Sequence, residues 1–172
     1  WTRVLIADTS DPTTYLRSQS SVANSGYAAE LYTNSNNNRR TMGFYKSLDL
    51  SGLQSATLTY SDYCTGLDSG SDYTRLEYSI NGGSTWVSLR DTATNTGWTL
   101  RTYPLPPGGT VVVRFSGSVN RTSEYCDWDD ITVTGVKSTT TVLSNTTCTV
   151  SSTTALADGT WYFSLRTVDR AG

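Results

Sequence analysis

The chain has 172 residues, a formal charge of −2 and no histidine, and it carries 30 Thr, 23 Ser, 11 Tyr and 5 Trp against 2 Lys and 3 Glu. This balance suits pleated sheet with one solvated face and disfavours helix. The missing histidine excludes Ser-His-Asp and Cys-His nucleophile pairs and histidine-ligated zinc; no Lys/Arg cluster supports nucleic-acid binding, and no run of 18 apolar residues is present to span a bilayer.

In chain order, strands are expected near residues 3–8, 27–33 and 42–48, with a polar loop from Asn34 to Arg40 between the last two. Leu58 and Tyr60 then alternate with Thr57, Thr59 and Ser61. Leu76, Tyr78 and Ile80 alternate with Arg75, Glu77 and Ser79, and Asn81-Gly82-Gly83-Ser84 turns that strand into the next, near 85–90. A strand near 98–103 precedes a corner of Pro104, Pro106, Pro107, Gly108 and Gly109. Val111, Val113 and Phe115 alternate with Val112, Arg114 and Ser116, and Ile131 and Val133 with Asp130, Thr132 and Thr134. Short alternating strands with loop punctuation describe an all-β antiparallel sandwich of jelly-roll type over residues 1–135. Val136 to Thr141 is a Ser/Thr-rich join. Two further strands are expected at 142–151 and 160–169, too few residues to fold alone.

Three cysteines require separate assignments. Cys64 ends one expected strand and Cys126 begins another, so a bridge would close a loop of some sixty residues and stabilise the fold by roughly 4 kcal/mol; two buried thiols are the alternative. Cys148 shares a strand face with Val150 and is expected to be a buried free thiol rather than an intermolecular bridge. Asn120-Arg121-Thr122 and Asn145-Thr146-Thr147 are glycosylation sequons, which with the cysteines suit an extracellular or cell-surface location. The chain starts at Trp1, which reads as a product from which a secretory signal has been removed.

Two acidic groups are candidate calcium ligands: Asp68 and Asp72 in a Ser/Gly loop, and Asp127, Asp129 and Asp130 beyond Cys126. Ordinary solvated acidic loops are the competing reading, and no other cofactor is expected. Tyr63, Tyr73, Trp98 and Tyr125 are candidate stacking faces for sugar rings, although strand aromatics commonly serve packing instead. Nothing selects a carboxylate pair for glycoside hydrolysis, so the chain reads as non-catalytic.

The stretch Leu76-Glu77-Tyr78-Ser79-Ile80-Asn81-Gly82-Gly83-Ser84-Thr85-Trp86 resembles a hairpin of secreted microbial jelly-roll modules, and Trp128-Asp129-Asp130-Ile131-Thr132-Val133-Thr134-Gly135 resembles their last strand. That class includes MAM-like and carbohydrate-binding-like domains. Leu156 to Gly172 is similar to the late part of a fibronectin type III-like repeat, with Trp161, Phe163 and Leu165 facing inward. The resemblance implies an incomplete Ig/fibronectin III-like strand pair at 136–172, lacking the repeat's first half and its last strand.

A sheet missing strands leaves open edges that another segment can fill. Val4, Leu5 and Ile6 at the N-terminus, with Trp161, Phe163 and Leu165 in the tail, are therefore the expected interface of a self-associating structural subunit, a homopolymer joined head to tail by strand complementation. The competing readings are a tail folded back on its own body, and a carbohydrate-binding or adhesin module of a larger secreted protein with glycans as partners.

Overall fold

A computed structural model describes residues 2–5, 14–20, 23–34, 36, 41–68 and 70–137. The chain divides into Trp1–Thr139 and Thr140–Gly172. The expected tail strands, Cys148, Asn145, Trp161, Phe163 and Leu165 all lie outside the described residues, as does Ile6.

Ten strands are described: β1 (Thr2–Leu5), β2 (Thr14–Gln19), β3 (Ala28–Thr33), β4 (Met42–Asp49), β5 (Leu53–Thr65), β6 (Tyr73–Ser79), β7 (Val87–Thr92), β8 (Thr96–Leu105), β9 (Thr110–Ser118) and β10 (Tyr125–Lys137). They form two five-stranded sheets, ordered β1-β4-β9-β6-β7 and β2-β3-β10-β5-β8. Every pairing is antiparallel. The all-β antiparallel sandwich expected from the alternation is therefore the architecture observed.

Alternation decides which face of each strand is dry. In β5, Ala56, Leu58, Tyr60, Asp62 and Cys64 are buried between the sheets, and in β9 Val111, Val113 and Phe115 meet them. The centre of the core is aromatic: Phe44 and Phe115 of one sheet stack at 5.2 Å, and Phe115 meets Tyr60 of the other edge-on at 4.9 Å. Trp128 stands edge-on to Phe44 at 5.7 Å. Such ring pairs add about 0.5–1.5 kcal/mol each beyond the area they bury.

Cys64 and Cys126 form a disulfide between directly paired positions of β5 and β10, closing a sequence separation of 62 residues. At the far side of the sandwich the core-facing Asp62 takes Arg90 of β7 at 3.1 Å and Arg101 of β8 at 2.9 Å. These are the edge strands of the two sheets, so one carboxylate ties both edges together.

Several expectations need correction. β2 carried no alternation strong enough to be read as a strand, because Thr14-Tyr15-Leu16-Arg17-Ser18-Gln19 has only two large apolar side chains. β6 ends at Ser79, leaving Ile80 67 % exposed in the turn instead of on the face of Leu76. The proline corner begins at Pro106, since Pro104 pairs with Thr57 inside β8. An edge strand tolerates proline, its unpaired side needing no N–H donor. The strand expected near 3–8 is β1, Thr2–Leu5, which pairs with β4 with Val4 opposite Gly43 and Leu5 opposite Met42.

The ladder between β10 and β5 is broken by a bulge. Asp129 pairs with Ser61 and Thr132 with Thr59, so two residues, Asp130 and Ile131, face the single Tyr60. Asp130 occupies the bulge at φ +52°, in the left-handed region that non-glycine residues enter only at a cost. Its carboxylate accepts from Asn24 Nδ2 at 2.8 Å and from the Ser25 hydroxyl, while Asp129 accepts from the Ser25 backbone N–H at 2.7 Å. The segment before β3 thereby holds the bulge in place.

Candidate functional site

The outer face of the β2-β3-β10-β5-β8 sheet is set by the same alternation that fills the core. With Cys64 and Cys126 inward, Tyr63 and Tyr125 point outward. Between the Asp62–Thr99 and Cys64–Thr96 pairs, β8 carries one residue more than β5, which sets Gly97 and Trp98 opposite Tyr63. Trp98 lies 5.7 Å from Tyr63, and Tyr63 stacks with Tyr125 at 5.9 Å. Tyr125 sits directly across from Tyr32 of β3, and the Arg17 guanidinium of β2 lies 4.0 Å from the Tyr32 ring centre.

The result is a row, Trp98–Tyr63–Tyr125–Tyr32–Arg17, that crosses all five strands. At about 4.8 Å per strand spacing it extends roughly 19 Å. All four rings are partly exposed and the Arg17 side chain is 52 % exposed. Leu100 extends the same face on β8, 69 % exposed.

Beside this row runs a line of polar side chains. Arg17 donates to Glu30, and Gln19 Nε2 donates to Asp127 Oδ1 at 2.9 Å. Asp127 is fully buried, and burial pushes its carboxyl up to about 7, against the Gln19 bond and the more distant Arg17 charge, which favour the ionised form. The phenol of Tyr125 is raised as well, first by burial and then by its bond to Tyr63. A cleft of about 450 Å³ opens where β2, β3 and the β10 bulge meet, lined by Leu16, Arg17, Ala28, Phe44, Trp128 and Asp129 among others. Flat apolar rings flanked by oriented polar groups suit a ligand with apolar faces and polar edges.

Of the four aromatics singled out from sequence, three meet here. Tyr73 belongs to the other sheet, where its hydroxyl bonds Thr41 and its ring lies under Arg75 at 4.2 Å. Sequence reasoning missed Tyr32, Arg17, Glu30 and Gln19. Tyr32 and Glu30 stand at alternate positions of an expected strand and were legible in principle; Arg17 and Gln19 belong to the strand that was not.

The acidic residues also sort differently from the expectation. Asp127, Asp129 and Asp130 do not converge: the first bonds Gln19, and the other two hold the segment at Asn24 and Ser25. Asp68 and Asp72 instead gather with Glu124, one carboxylate oxygen from each lying within 4.8 Å of the others. Burial raises the Asp72 carboxyl to about 6, assisted by the neighbouring Glu124 and Asp68. Asn120, the first sequon residue, is buried at 6 % exposure beside this group, and its backbone N–H donates to Glu124 at 2.8 Å. In the folded chain its amide is therefore not presented for glycan attachment.

No protein-family model matches this chain, and no curated protein does. Among solved structures it is similar to a family 61 carbohydrate-binding module (TmCBM61) solved with β-1,4-galactotriose, at 13 % identity and TM-score 0.51, covering 73 % of this chain and 84 % of that one. A second is a family 16 carbohydrate-binding module, at 15 % identity and TM-score 0.47, covering 69 % and 84 %. A third is the K3 cleaved adhesin domain of Lys-gingipain from Porphyromonas gingivalis, at 21 % identity and TM-score 0.46, covering 64 % and 75 %. The structural neighbours thus include carbohydrate-binding modules, and this chain shares their β-sandwich fold.

Proposed function

We propose that this chain is a non-catalytic, secreted glycan-binding module whose binding surface is the outer face of the β2-β3-β10-β5-β8 sheet. The observation that carries the reading is the aromatic row Trp98–Tyr63–Tyr125–Tyr32, ending at Arg17. A sugar chain laid across the strands stacks its apolar ring faces on these side chains. Arg17, its side chain 52 % exposed, supplies hydrogen bonds to hydroxyls at one end of the row and fixes the direction of the chain, held in place by the buried Glu30. At roughly 19 Å the row matches an oligosaccharide rather than a single ring. Rigid aromatics lose little entropy on binding, and their preformed spacing favours extended polymers over compact ligands.

The Cys64–Cys126 bridge suits a secreted protein. Head-to-tail polymerisation through the tail rests on sequence alone, because Trp161, Phe163 and Leu165 lie outside the described residues. The glycan reading is tested by calorimetric titration and affinity electrophoresis with a panel of soluble polysaccharides, with β-1,4-galactotriose as the first short probe. Binding to at least one, lost in Trp98→Ala and Tyr63→Ala but kept in Tyr73→Phe, is the expected result. A blank panel, or binding that survives both aromatic substitutions, overturns it.

A further inference from the structure

Two loops meet at the end of the sheet beyond the disulfide. The β5–β6 connection brings Asp68 and Asp72, and the β9–β10 connection brings Glu124. Their close approach is built in at Gly66, which has φ +75° and where a Cβ would stand 2.6 Å from the Ser123 carbonyl oxygen. Any other residue would push the two loops apart.

The bonding of the three carboxylates is incomplete in a consistent way. Glu124 Oε2 is satisfied, accepting from the backbone N–H groups of Asn120 at 2.8 Å and Arg121 at 2.7 Å. Asp72 Oδ2 accepts from the Asp68 N–H at 2.9 Å, and Asp68 Oδ2 takes Arg121 Nη1 at 2.9 Å. The other oxygen of each, Glu124 Oε1, Asp72 Oδ1 and Asp68 Oδ1, is buried without a hydrogen-bond partner among the described residues. Glu124 is 1 % and Asp72 3 % exposed. Among the described residues the cation beside this cluster is Arg121, its side chain 57 % exposed, paired with Asp68 and with Nη1 3.8 Å from Glu124 Oε1.

Buried acceptors left unpaired are costly, and three on one cluster of carboxylates are costlier still. A single cation between them would remove the cost. Two oxygens each 2.3–2.6 Å from a common calcium ion can be at most about 5 Å apart. The 4.8 Å limit on this cluster falls inside that span. The ligand set is all hard oxygen, with neither histidine nor thiolate, which favours calcium over zinc or copper.

We propose that Asp68, Asp72 and Glu124 form a calcium site that clamps the β5–β6 loop to the β9–β10 loop. Main-chain carbonyls and water complete the six to eight oxygens calcium requires. The ion replaces mutual repulsion of the carboxylates with a shared attraction. Glu124 directly precedes Tyr125, so the clamp also anchors the end of β10 that carries the aromatic row.

The test uses the full chain, stripped with EDTA and titrated calorimetrically with CaCl2 at pH 7.5. One site is expected, with a dissociation constant at or below about 1 mM, the weak end for extracellular modules. Thermal unfolding at about 5 mM CaCl2 should shift upward by roughly 3 °C or more relative to EDTA. Asp72→Asn abolishes that shift while Asp127→Asn keeps it; should Asp72→Asn fail to fold, Asp68→Asn at its more exposed position gives the same reading. Absence of binding heat and shift, a shift that survives substitution of the cluster, or an equal response to MgCl2 overturns the assignment. None of these outcomes depends on whether a glycan binds.

Discussion

Asp62 points into the sandwich and takes the Arg101 side chain at 2.9 Å, with Arg90 at 3.1 Å on its other oxygen. The carboxylate is 1 % exposed, whereas both arginines keep part of their side chains in water. Removing one member of a buried ion group leaves its partners without compensation. Asp62→Ala should therefore destabilise the chain by about 3–5 kcal/mol in denaturant titration. A triple replacement of Asp62, Arg90 and Arg101 by apolar residues should recover much of that loss.

The glycan surface makes a graded prediction. Trp98→Ala and Tyr63→Ala should each weaken binding at least about tenfold, equivalent to about 1.4 kcal/mol. Arg17→Ala removes a bond to Glu30 and a cation over Tyr32, and should weaken binding less. Thr102→Ala, exposed on β8 beyond the row, should leave affinity unchanged. Parallel melting curves separate these losses from unfolding.

Asp127 imposes a pH dependence whose sign is set by its burial. Its carboxyl titrates near 7 when folded, against an ordinary value of 3.8. The folded chain consequently holds a proton that the unfolded chain has released between these values. This contribution to stability is complete below pH 4 and is lost as pH rises through about 7. Asp127→Asn keeps an acceptor for Gln19 and removes the titration. The variant should be more stable than the parent at pH 8, by an amount on the order of 4 kcal/mol at about 1.36 kcal/mol per pH unit between 3.8 and about 7. Denaturant titrations of both proteins at pH 5 and pH 8 measure the difference.

The disulfide makes a separate contribution. Closing 62 residues restricts the unfolded chain by about 4 kcal/mol in the entropy model. The double variant Cys64→Ala, Cys126→Ala should lose most of that amount. The parent should lose a similar amount in reductant, detectable as a lower denaturation midpoint.

How much of this was legible in the chain depends on whether the controlling interaction is local. β5 and β9 were readable because Leu58, Tyr60, Val111, Val113 and Phe115 obey the period of the pleat within a few residues. Tyr63, Trp98 and Tyr125 were identified as candidates, but their meeting depends on pairing between β5, β8 and β10, and no local pattern distinguished them from Tyr73. Glu124 could not be joined to Asp68 and Asp72 from sequence, since its place beside them is set by β10 closing next to β5 and by the space at Gly66. β2 stayed hidden because an edge strand needs few apolar residues to be held by its neighbour β3.

The bulge at Asp130 keeps two halves of β10 in phase with one core. Before it, even-numbered Cys126 and Trp128 face inward; after it, odd-numbered Val133 pairs with the inward Leu58. The strand changes parity at that point, and the additional residue is what allows both halves to be correct. Deleting Asp130 should therefore act as a frameshift in space rather than as a small loss of contacts. Either Val133 would turn to water, or Cys126 and Trp128 would leave the core and Tyr125 would turn inward, out of the aromatic row. A single inserted residue elsewhere in β10 would present the chain with the same choice.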